Sequence, residues 1–593
     1  MLNSRGCERL PKWENLFYLV MMLGFSRFII AFMVVGFGLP VAGQLPNPDY
    51  YSIYQQTGAG RETVLVDSEG TVLHTWANDL LASNAAVAYL REDGLLLRSV
   101  QRGGGVPAGF LAGSFSTVQL VTWDGEVVWE FDHQVTGQYT LHHDIKPASN
   151  GNVLVTVWEF FPAAEAEALG WQPVSGVAGV WMDGVMEIAP NLTDGTSEIV
   201  WEWSIANHLI QDVDETAANF GDVSANPGKV DVNFSARILS GDYFHIAGID
   251  YNPEREEIIL CPNFIDEIWV IDRSTTIAQA ATSSGGNRAR GGELLYRWGN
   301  PEVYDFGGGP AEPRILERAH DVRWVLCPQG TWQATIHNNE RLDEIVNDDD
   351  SQVLVLDLPI DENDDYVLEV GSTFAPEVPE VLYEFDPANQ FFSSAIMGGA
   401  QVLRNGNVLI TLPFGPSLVE VEPSTGEVVW EVDLPAGGFV FKAQNYPISY
   451  VGYGPSLAIN YDIWRDANFG TGEPLENGPN EDADSDGFSN LLEYYAGSDP
   501  QEGRSALTLC SDAAEVNGET AFSVNFERLT NVPDVSGRIE FSRTLDPWVD
   551  VSDSLNVTET VNACIDGTED VMWLMPIEDE ERGFVRIAVD LIE

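Results

Sequence analysis

From about residue 48 to 450 the chain repeats one pattern: a short run of β-branched, aliphatic and aromatic residues, a turn of Gly with Asp, Asn or Ser, then another run that often closes on an aromatic. Instances are Ser68 to Trp76, Trp123 to Trp129, Asn150 to Val155, Ser197 to Trp203, Gly292 to Trp298, Asn405 to Ile410 and Thr425 to Trp430. Two kinds alternate. Asn-Gly-Asn-Val-Leu reads as a hairpin turn leading into a buried strand, and Gly-Glu-Val-Val-Trp as a turn leading into an outer strand. Short strands recurring through one long domain predict an all-β fold, a β-propeller whose radial blades share a core and shield their edges, with a long β-sandwich as the alternative. The rhythm breaks at Ile205 to Gly221, whose apolar spacing predicts a helix inserted between blades. A tryptophan content of 17 fits the same reading, because the indoles stand at strand ends where blades pack.

A Gly/Pro/Asn/Asp-rich stretch, Gly470 to Asp486, predicts a linker after this domain. Within an acidic segment spanning 470–500, Asp482-Ala-Asp-Ser-Asp-Gly-Phe-Ser-Asn-Leu-Leu-Glu493 places carboxylates at positions 1, 3, 5 and 12 of a calcium loop, with Gly at 6. The expected metal ligands are Asp482, Asp484, Asp486, the Phe488 carbonyl, Asn490 and a bidentate Glu493, because hard oxygen donors at this spacing wrap a calcium ion. A solvated acidic linker is the competing reading. Residues 504–593 resume alternating strands (Ala521 to Phe526, Arg538 to Ser542, Phe584 to Ala588) and predict a small accessory β-sandwich.

Composition narrows the function classes. The 593 residues, 44% hydrophobic and 11% aromatic, are enough for several ordered cores. A net charge of −63, from 92 acidic against 29 basic residues, excludes generic nucleic-acid binding, which needs cationic surface to displace counterions. It also disfavours anionic membrane surfaces, so an anionic substrate requires a locally positive pocket. Arg27, the apolar run Phe28 to Leu39 and the small residues Val41-Ala42-Gly43 read as an export signal over residues 1–43, cleaved near Gly43. Retention of Phe17 to Leu39 as a membrane anchor is the alternative, which Arg27 disfavours. Periplasmic or extracellular location follows. Of five cysteines, Cys7 would then be removed; Cys510 with Cys564 is the expected disulfide, while Cys261 and Cys327 could form a second or be buried free thiols.

The eight histidines carry the candidate chemistry. Several lie in aromatic and charged neighbourhoods: Leu141-His-His-Asp-Ile145, Tyr243-Phe-His245, Arg318-Ala-His-Asp-Val-Arg323, and His208. Here the chain resembles the bacterial arylsulfate sulfotransferases and, more closely, their broader arylsulfotransferase-like branch, over about residues 48–452. The carriers are His142-His-Asp-Ile-Lys-Pro147 with Asn150-Gly-Asn-Val-Leu154, Asn207-His-Leu-Ile-Gln-Asp212, Tyr243-Phe-His-Ile-Ala-Gly-Ile-Asp-Tyr-Asn252, Asp266-Glu-Ile-Trp-Val-Ile-Asp272, and Leu295-Tyr-Arg-Trp-Gly-Asn-Pro301 followed by Ala319-His-Asp321. The resemblance implies a six-bladed propeller that moves a sulfuryl group from a phenolic sulfate ester to another phenol, without a nucleotide sulfate donor, through a sulfohistidine. It implies His320 as the nucleophile, with Asp321 or a nearby carbonyl setting its tautomer. His143 and His245 would bind sulfate oxygens or handle the phenol proton, His142 would pack beside the site, and Asp144 would orient a neighbour. The chemistry suits imidazole: a phenol with pKa about 10 is a good leaving group, and a neutral ring is the nucleophile required.

Two departures bear on this expectation. The chain has His245-Ile-Ala247 where active relatives carry His-x-Asn, and Asn263 stands where they carry an arginine that grips sulfate. Loss of such a guanidinium removes a bidentate oxyanion ligand, an effect on the order of 2 to 4 kcal/mol. Asn263, Arg297, His337 and Asn338 are therefore the candidate substrate-binding residues, with Arg318, Arg323 and Arg341 also near the motifs. Competing functions are a propeller that binds a ligand, glycan or protein without group transfer, and a histidine site for a transition metal, which no tight His-x-His spacing supports. The expected partners are a small phenolic sulfate donor and a phenol acceptor, with a homodimer compatible and stable membrane insertion not expected after signal cleavage.

Overall fold

A computed structural model describes residues 50–447 apart from 58–61, 79–86, 103–112, 235–240, 305–313, 328–330, 341–350, 362–363, 369–372, 385–393, 395, 404 and 435–437. Outside that range it describes 19–21, 465, 489–496 and the backbone of strands between 510 and 591. The chain divides into two compact units, Leu45–Asn445, and Met1–Gln44 with Tyr446–Glu593. The first is a six-bladed β-propeller.

Each blade is a four-stranded antiparallel sheet running outward from the axis. Blade two comprises Ala88–Leu90, Leu96–Val100, Thr117–Val121 and Val127–Asp132. Blade three is built on Tyr139–Pro147, Val153–Pro162, Gly179–Pro190 and Ser197–Ser204. Blade four has Ile246–Asn252, Glu257–Pro262, Ile268–Asp272 and Tyr296–Trp298; blade five has Asp321–Leu326, Trp332–Asn338, Gln352–Asp357 and Glu380–Glu384. Blade six has Gly399–Val402, Val408–Leu412, Ser417–Glu422 and Glu427–Asp433. Blade one closes the ring: its innermost strand, Val440–Pro447, comes from the far end of the unit and pairs with Tyr50–Gln56, followed by Thr63–Val66 and Val72–Trp76.

The turns that punctuate the sequence explain these hairpins. In Asn150-Gly-Asn152 and again in Asn405-Gly-Asn407, the first Asn side chain accepts the N–H two residues on, and the Gly takes a left-handed φ of 84° and 82°. Both Asn amides of each turn then donate to one carboxylate on the neighbouring strand, Glu187 in blade three and Glu420 in blade six. The strands that follow are buried over Val153–Trp158 and Val408–Ile410, whereas Val127–Asp132 and Glu427–Asp433 are outermost and half exposed.

Blades are tied to one another at two radii. At the rim, a tryptophan on the outermost strand donates its indole N–H to the next blade: Trp76 to Thr122 O, Trp129 to Thr196 O, Trp201 to Thr275 Oγ1, Trp298 to Pro376 O and Trp430 to Ser68 O, at 2.7–3.2 Å. At the axis, a carboxylate on one innermost strand accepts a backbone N–H from the next: Asp144 from Ile249, Asp250 from Trp324 and Asp321 from Ala400. Lys442 joins the axis from blade one, its Nζ 2.6 Å from Asp144 Oδ2 and 2.9 Å from Asp321 Oδ1.

The helix expected over Ile205 to Gly221 is not formed. Ile205–Asn207 makes a single 3-10 turn capped by Ser204, and Leu209–Ile210 pairs in parallel with Val230–Asp231. Leu209 and Ile210 reach the core from an extended pair rather than a helical stripe, while Val213 and Phe220 are exposed. Cys261 and Cys327 are buried free thiols. Cys564 lies outside the described residues, so the pairing with Cys510 does too. In the second unit, one four-stranded sheet is ordered Cys510–Val516, Glu519–Leu529, Thr568–Pro576, Thr558–Ala563, and another is built on Val535–Ser542 and Gly583–Leu591, with Val549–Asp550 and Leu19–Met21 as its outer strands. Among the described residues no helix is long and apolar enough to cross a membrane.

Lys442 generates a stability prediction. Burial alone would raise Asp321, but Arg323 and Lys442 overcome it and lower its pKa to about 2, while the two carboxylates raise Lys442 despite its burial. Lys442→Met leaves buried Asp144 without a cation and Asp321 with Arg323 alone, and should cost about 3–5 kcal/mol at pH 7. Because Asp321 is depressed on folding, the contribution is complete above the ordinary carboxylate range and lost as pH falls toward about 2. Urea unfolding followed by tryptophan fluorescence should show the gap between the two proteins narrowing below about pH 4; a pH-independent gap would contradict the charge argument.

Candidate active site at the axial channel

Just above the Lys442 layer, blades three, four and five bring His143, His245 and His320 together. Two of these residues adopt backbone conformations that side chains avoid: φ is 48° at His143 and 56° at His245, and Arg318, two residues before His320, has 56°. Each such residue costs about 1–3 kcal/mol, and a strained set on adjacent blades points to a shared task. Register shifts between His142 and Ile145, and between Ile246 and Gly248, re-aim the strands there. Gly113, at φ 96°, packs so closely that a Cβ on it would lie 2.3 Å from His143 Nε2.

The imidazoles of His143 and His245 meet edge to face, with centroids 4.3 Å apart, and the Phe441 ring lies 6.1 Å from His143 and 6.3 Å from His320. His245 stacks on Phe264, at 4.2 Å and 4°. His142 stays one layer back, stacked on Trp158 at 3.9 Å, with its Nδ1 3.1 Å from His143 Nδ1, so one proton is shared between these two nitrogens. That is the packing role expected for it.

His320 is held by its Nδ1. Its Nδ1 lies 2.8 Å from Arg318 O and 2.8 Å from Asn339 Oδ1, two acceptors that place the proton on Nδ1 and leave the lone pair on Nε2. Burial, with further terms from neighbouring imidazoles, lowers its pKa to about 3; burial first, then His245, His142 and His320, hold His143 well below the ordinary histidine range. The ring is thus neutral and nucleophilic over the physiological range.

The other sequence candidates divide. Asn263 reaches the cluster: its amide donates to Ala319 O at 2.9 Å and lies 3.2 Å from His320 Nδ1, while its backbone N–H donates to His245 O. It braces the His320 backbone. Asp321, considered for orienting His320, turns instead to Lys442, Arg323 and the Ala400 N–H; the carbonyl alternative holds, supplemented by Asn339. Arg297 is not brought to the histidines. It lies on the outermost strand of blade four, where its guanidinium pairs with Glu267, donates to Lys229 O and stacks over Tyr304. Asn338 ties a loop together, accepting from Glu317 N and donating to Glu340 O. His337 is buried opposite Asp321 in blade five, its pKa lowered to about 4 chiefly by burial, and its ring packs where a Cβ on Gly398 would come within 2.6 Å. Arg318 pairs with Glu340, and Arg341 lies outside the described residues.

Three functional side chains escaped the sequence reading. Asn339, neighbour of the chosen Asn338, links His320 to blade six by donating to Ser394 O and Met397 O. Lys442 stands in a run with no motif around it, and Asp242, 2.6 Å from His245 Nδ1, lies one residue ahead of the Tyr243–Asn252 motif. The strand alternation around Lys442 could have shown that it faces the axis. Of the calcium loop, 482–488, including Asp482, Asp484, Asp486 and Phe488, lie outside the described residues. Asn490 and Glu493 are described and buried, at 0% and 2% exposure, in the helix Asn490–Ala496.

With the histidine cluster in place, the comparisons with known proteins can be set beside it. Residues 14–293 match the arylsulfotransferase (ASST) family. The matched segment holds His143 and His245 and ends ahead of His320 and Asn339, so the nucleophile stands on geometry and on the resemblance of its motif. No curated protein is matched by the sequence. Similar solved structures include a protein of unknown function from Bacteroides caccae (10% identity, TM-score 0.33, covering 67% of this chain and 99% of that one). The periplasmic gluconolactonase of Pseudomonas aeruginosa is similar at 11% identity and TM-score 0.34, covering 67% and 99%. These likenesses are too remote to bear on function.

The wiring of His320 predicts a spectroscopic result. In ¹⁵N-histidine-labelled protein, His320 should be the neutral tautomer protonated on Nδ1 from pH 8 down to about pH 4. An imidazolium at His320 above pH 5 would refute the assignment. Because the folded value lies below the ordinary one of about 6.5, this buried ring contributes stability above that pH and loses it as pH falls.

Proposed function

We propose that the chain is an exported aryl-sulfate sulfotransferase in which His320 Nε2 attacks the sulfur of a phenolic sulfate ester and forms a sulfohistidine, which a phenol acceptor then discharges, with no nucleotide sulfate donor. The observation that carries this reading is the commitment of His320 Nδ1 to two oxygens, which fixes a lone pair on the nitrogen beside two further imidazoles. His143 and His245 are the groups that contact the sulfuryl oxygens or the phenol proton, and Phe441 and Phe264 offer aromatic surface for the aryl rings. The match of residues 14–293 to the arylsulfotransferase family supports the substrate class. The amino-terminal signal pattern supports a periplasmic or extracellular location.

A second reading, a binding propeller without group transfer, is favoured by one observation: Asn263 spends its amide on the chain at Ala319, and the guanidinium of Arg297 is taken up by Glu267. Assay of residues 44–593 with p-nitrophenyl sulfate and a phenol acceptor separates the two. We expect nitrophenol release coupled to sulfated product, and loss of at least about 10³-fold in His320→Ala with the fold retained, since the covalent route itself is removed. Silence from folded wild-type protein across a donor panel would favour the binding propeller; full activity in His320→Ala would remove the nucleophile assignment.

We also propose that the 482–493 loop holds a structural calcium ion. The donor set is hard oxygen, and Glu493, a carboxylate kept 2% exposed, fits a site that a cation completes. Asp482, Asp484, Asp486, the Phe488 carbonyl, Asn490 and Glu493 would be its ligands. Chelation of the full chain should lower the melting temperature of the carboxy-terminal unit while leaving propeller activity unchanged, and Glu493→Gln should abolish the calcium response. A melting curve indifferent to calcium would overturn the proposal.

A further inference from the structure

The three histidines of the cluster are wired in three different ways at Nδ1. His320 meets two neutral oxygens, His143 meets another imidazole, and His245 meets a carboxylate, Asp242 Oδ2, at 2.6 Å. Of these, the carboxylate contact alone compensates a second proton on the ring. Asp242 is 2% exposed and its backbone is pinned: Gly241 O accepts the Trp181 N–H at 2.7 Å, and Gly241, at φ 95°, sits against Gly179 O so closely that a Cβ would approach to 2.3 Å. On the far side His245 lies flat on Phe264, which fixes the ring plane. The neighbouring acid, Asp183, is used otherwise: its Oδ1 accepts the Ile246 N–H at 2.8 Å, and burial, reinforced by Asp242, holds its carboxyl well above the usual range. Two histidines on adjacent blades therefore have opposite character, one fixed as a neutral base and one able to gain and lose a proton.

Resting on the sulfotransferase reading, we propose that His245 is the acid–base group of the transfer and that Asp242 is its positioning residue, holding the Nδ1 proton so that Nε2 exchanges a proton with substrate oxygen. In the first half-reaction the His320 Nε2–S bond forms as the S–O bond to the aryl group breaks, and the departing aryl oxygen takes the proton from His245 Nε2. In the second, His245 Nε2 removes the proton of the acceptor phenol, whose oxygen attacks the sulfur as the N–S bond breaks. Each cycle returns His320 unsubstituted and His245 doubly protonated.

The test is leaving-group dependence in the full chain. Asp242→Asn preserves shape and removes the charge. Formation of the sulfo-enzyme from p-nitrophenyl sulfate, whose phenolate leaves without help, should stay within about threefold of wild type, whereas phenyl sulfate should slow by about 10²–10³-fold. Asp242→Glu should restore part of the loss. A merely structural role would slow both donors equally, and that outcome, or no loss at all, would overturn the proposal while leaving the His320 reading intact. Absence of transfer from wild type, or transfer that survives His320→Ala, would instead sink the underlying reading and this proposal with it. If Asp242→Asn does not fold, the wild-type solvent deuterium isotope effect decides: a normal effect on phenyl sulfate and none on p-nitrophenyl sulfate is expected, and equal effects would overturn the assignment.

Discussion

The structure of the propeller depends on one buried cation. Lys442 is almost fully enclosed, and taking an ammonium out of water costs several kcal/mol unless carboxylates replace its hydration. Asp144 and Asp321 do so from the innermost strands of blades three and five, and each also accepts a backbone N–H from the next blade. The lysine thus links blade one to blades three and five, and the carboxylates extend its reach to blades four and six. Because Asp144 follows His143 directly and Asp321 follows His320, the same ion network fixes the main chain beneath two of the three reactive rings.

The two radii of inter-blade contact divide the work. At the rim, neutral indole N–H groups bond to turns, contacts worth about 1 kcal/mol each that repeat regardless of charge. At the axis, where water is scarce, charged groups meet charged groups or backbone N–H donors, and partner loss is expensive. The cluster sits at the boundary between these regimes: close enough to the ion layer to be rigid, and lined above by aromatic faces. That placement lets imidazoles be kept neutral by burial at one position and paired with a carboxylate at another, only a ring's width away.

The propeller was legible because its blades repeat, and repetition in sequence here is repetition of physics. The Asn-Gly-Asn turns of blades three and six use the same Asn pair, the same left-handed Gly and the same acceptor carboxylate. His143, His245 and His320 were also visible, since histidine is rare in this chain and each falls in a distinctive motif. What failed has an equally local cause. Leu209 and Ile210 have helical spacing by accident and are drawn into an extended pairing with Val230–Asp231. Arg297 lies in a motif segment, yet strand position puts it at the rim, where Glu267 claims it. Asn338 and Asn339 are adjacent, and strand alternation sends their side chains to opposite uses. Lys442 was silent because a single ionisable residue in a strand run carries no signal until the fold supplies its partner, and Asp242, just ahead of the Tyr243–Asn252 motif, has its role only once the fold sets it against His245.

Ring closure gives the site a history. The rings of His143, His245 and His320 belong to strands made well before Val440–Pro447, which brings both Phe441 and Lys442. During synthesis, or in any nicked or shortened chain, Asp144 and Asp321 face each other across an axis with no cation between them. The geometry of the cluster is therefore a property of the completed circle and not of the blades that carry the histidines, and a chain ending before Val440 would hold all three histidines while lacking the part that aligns them.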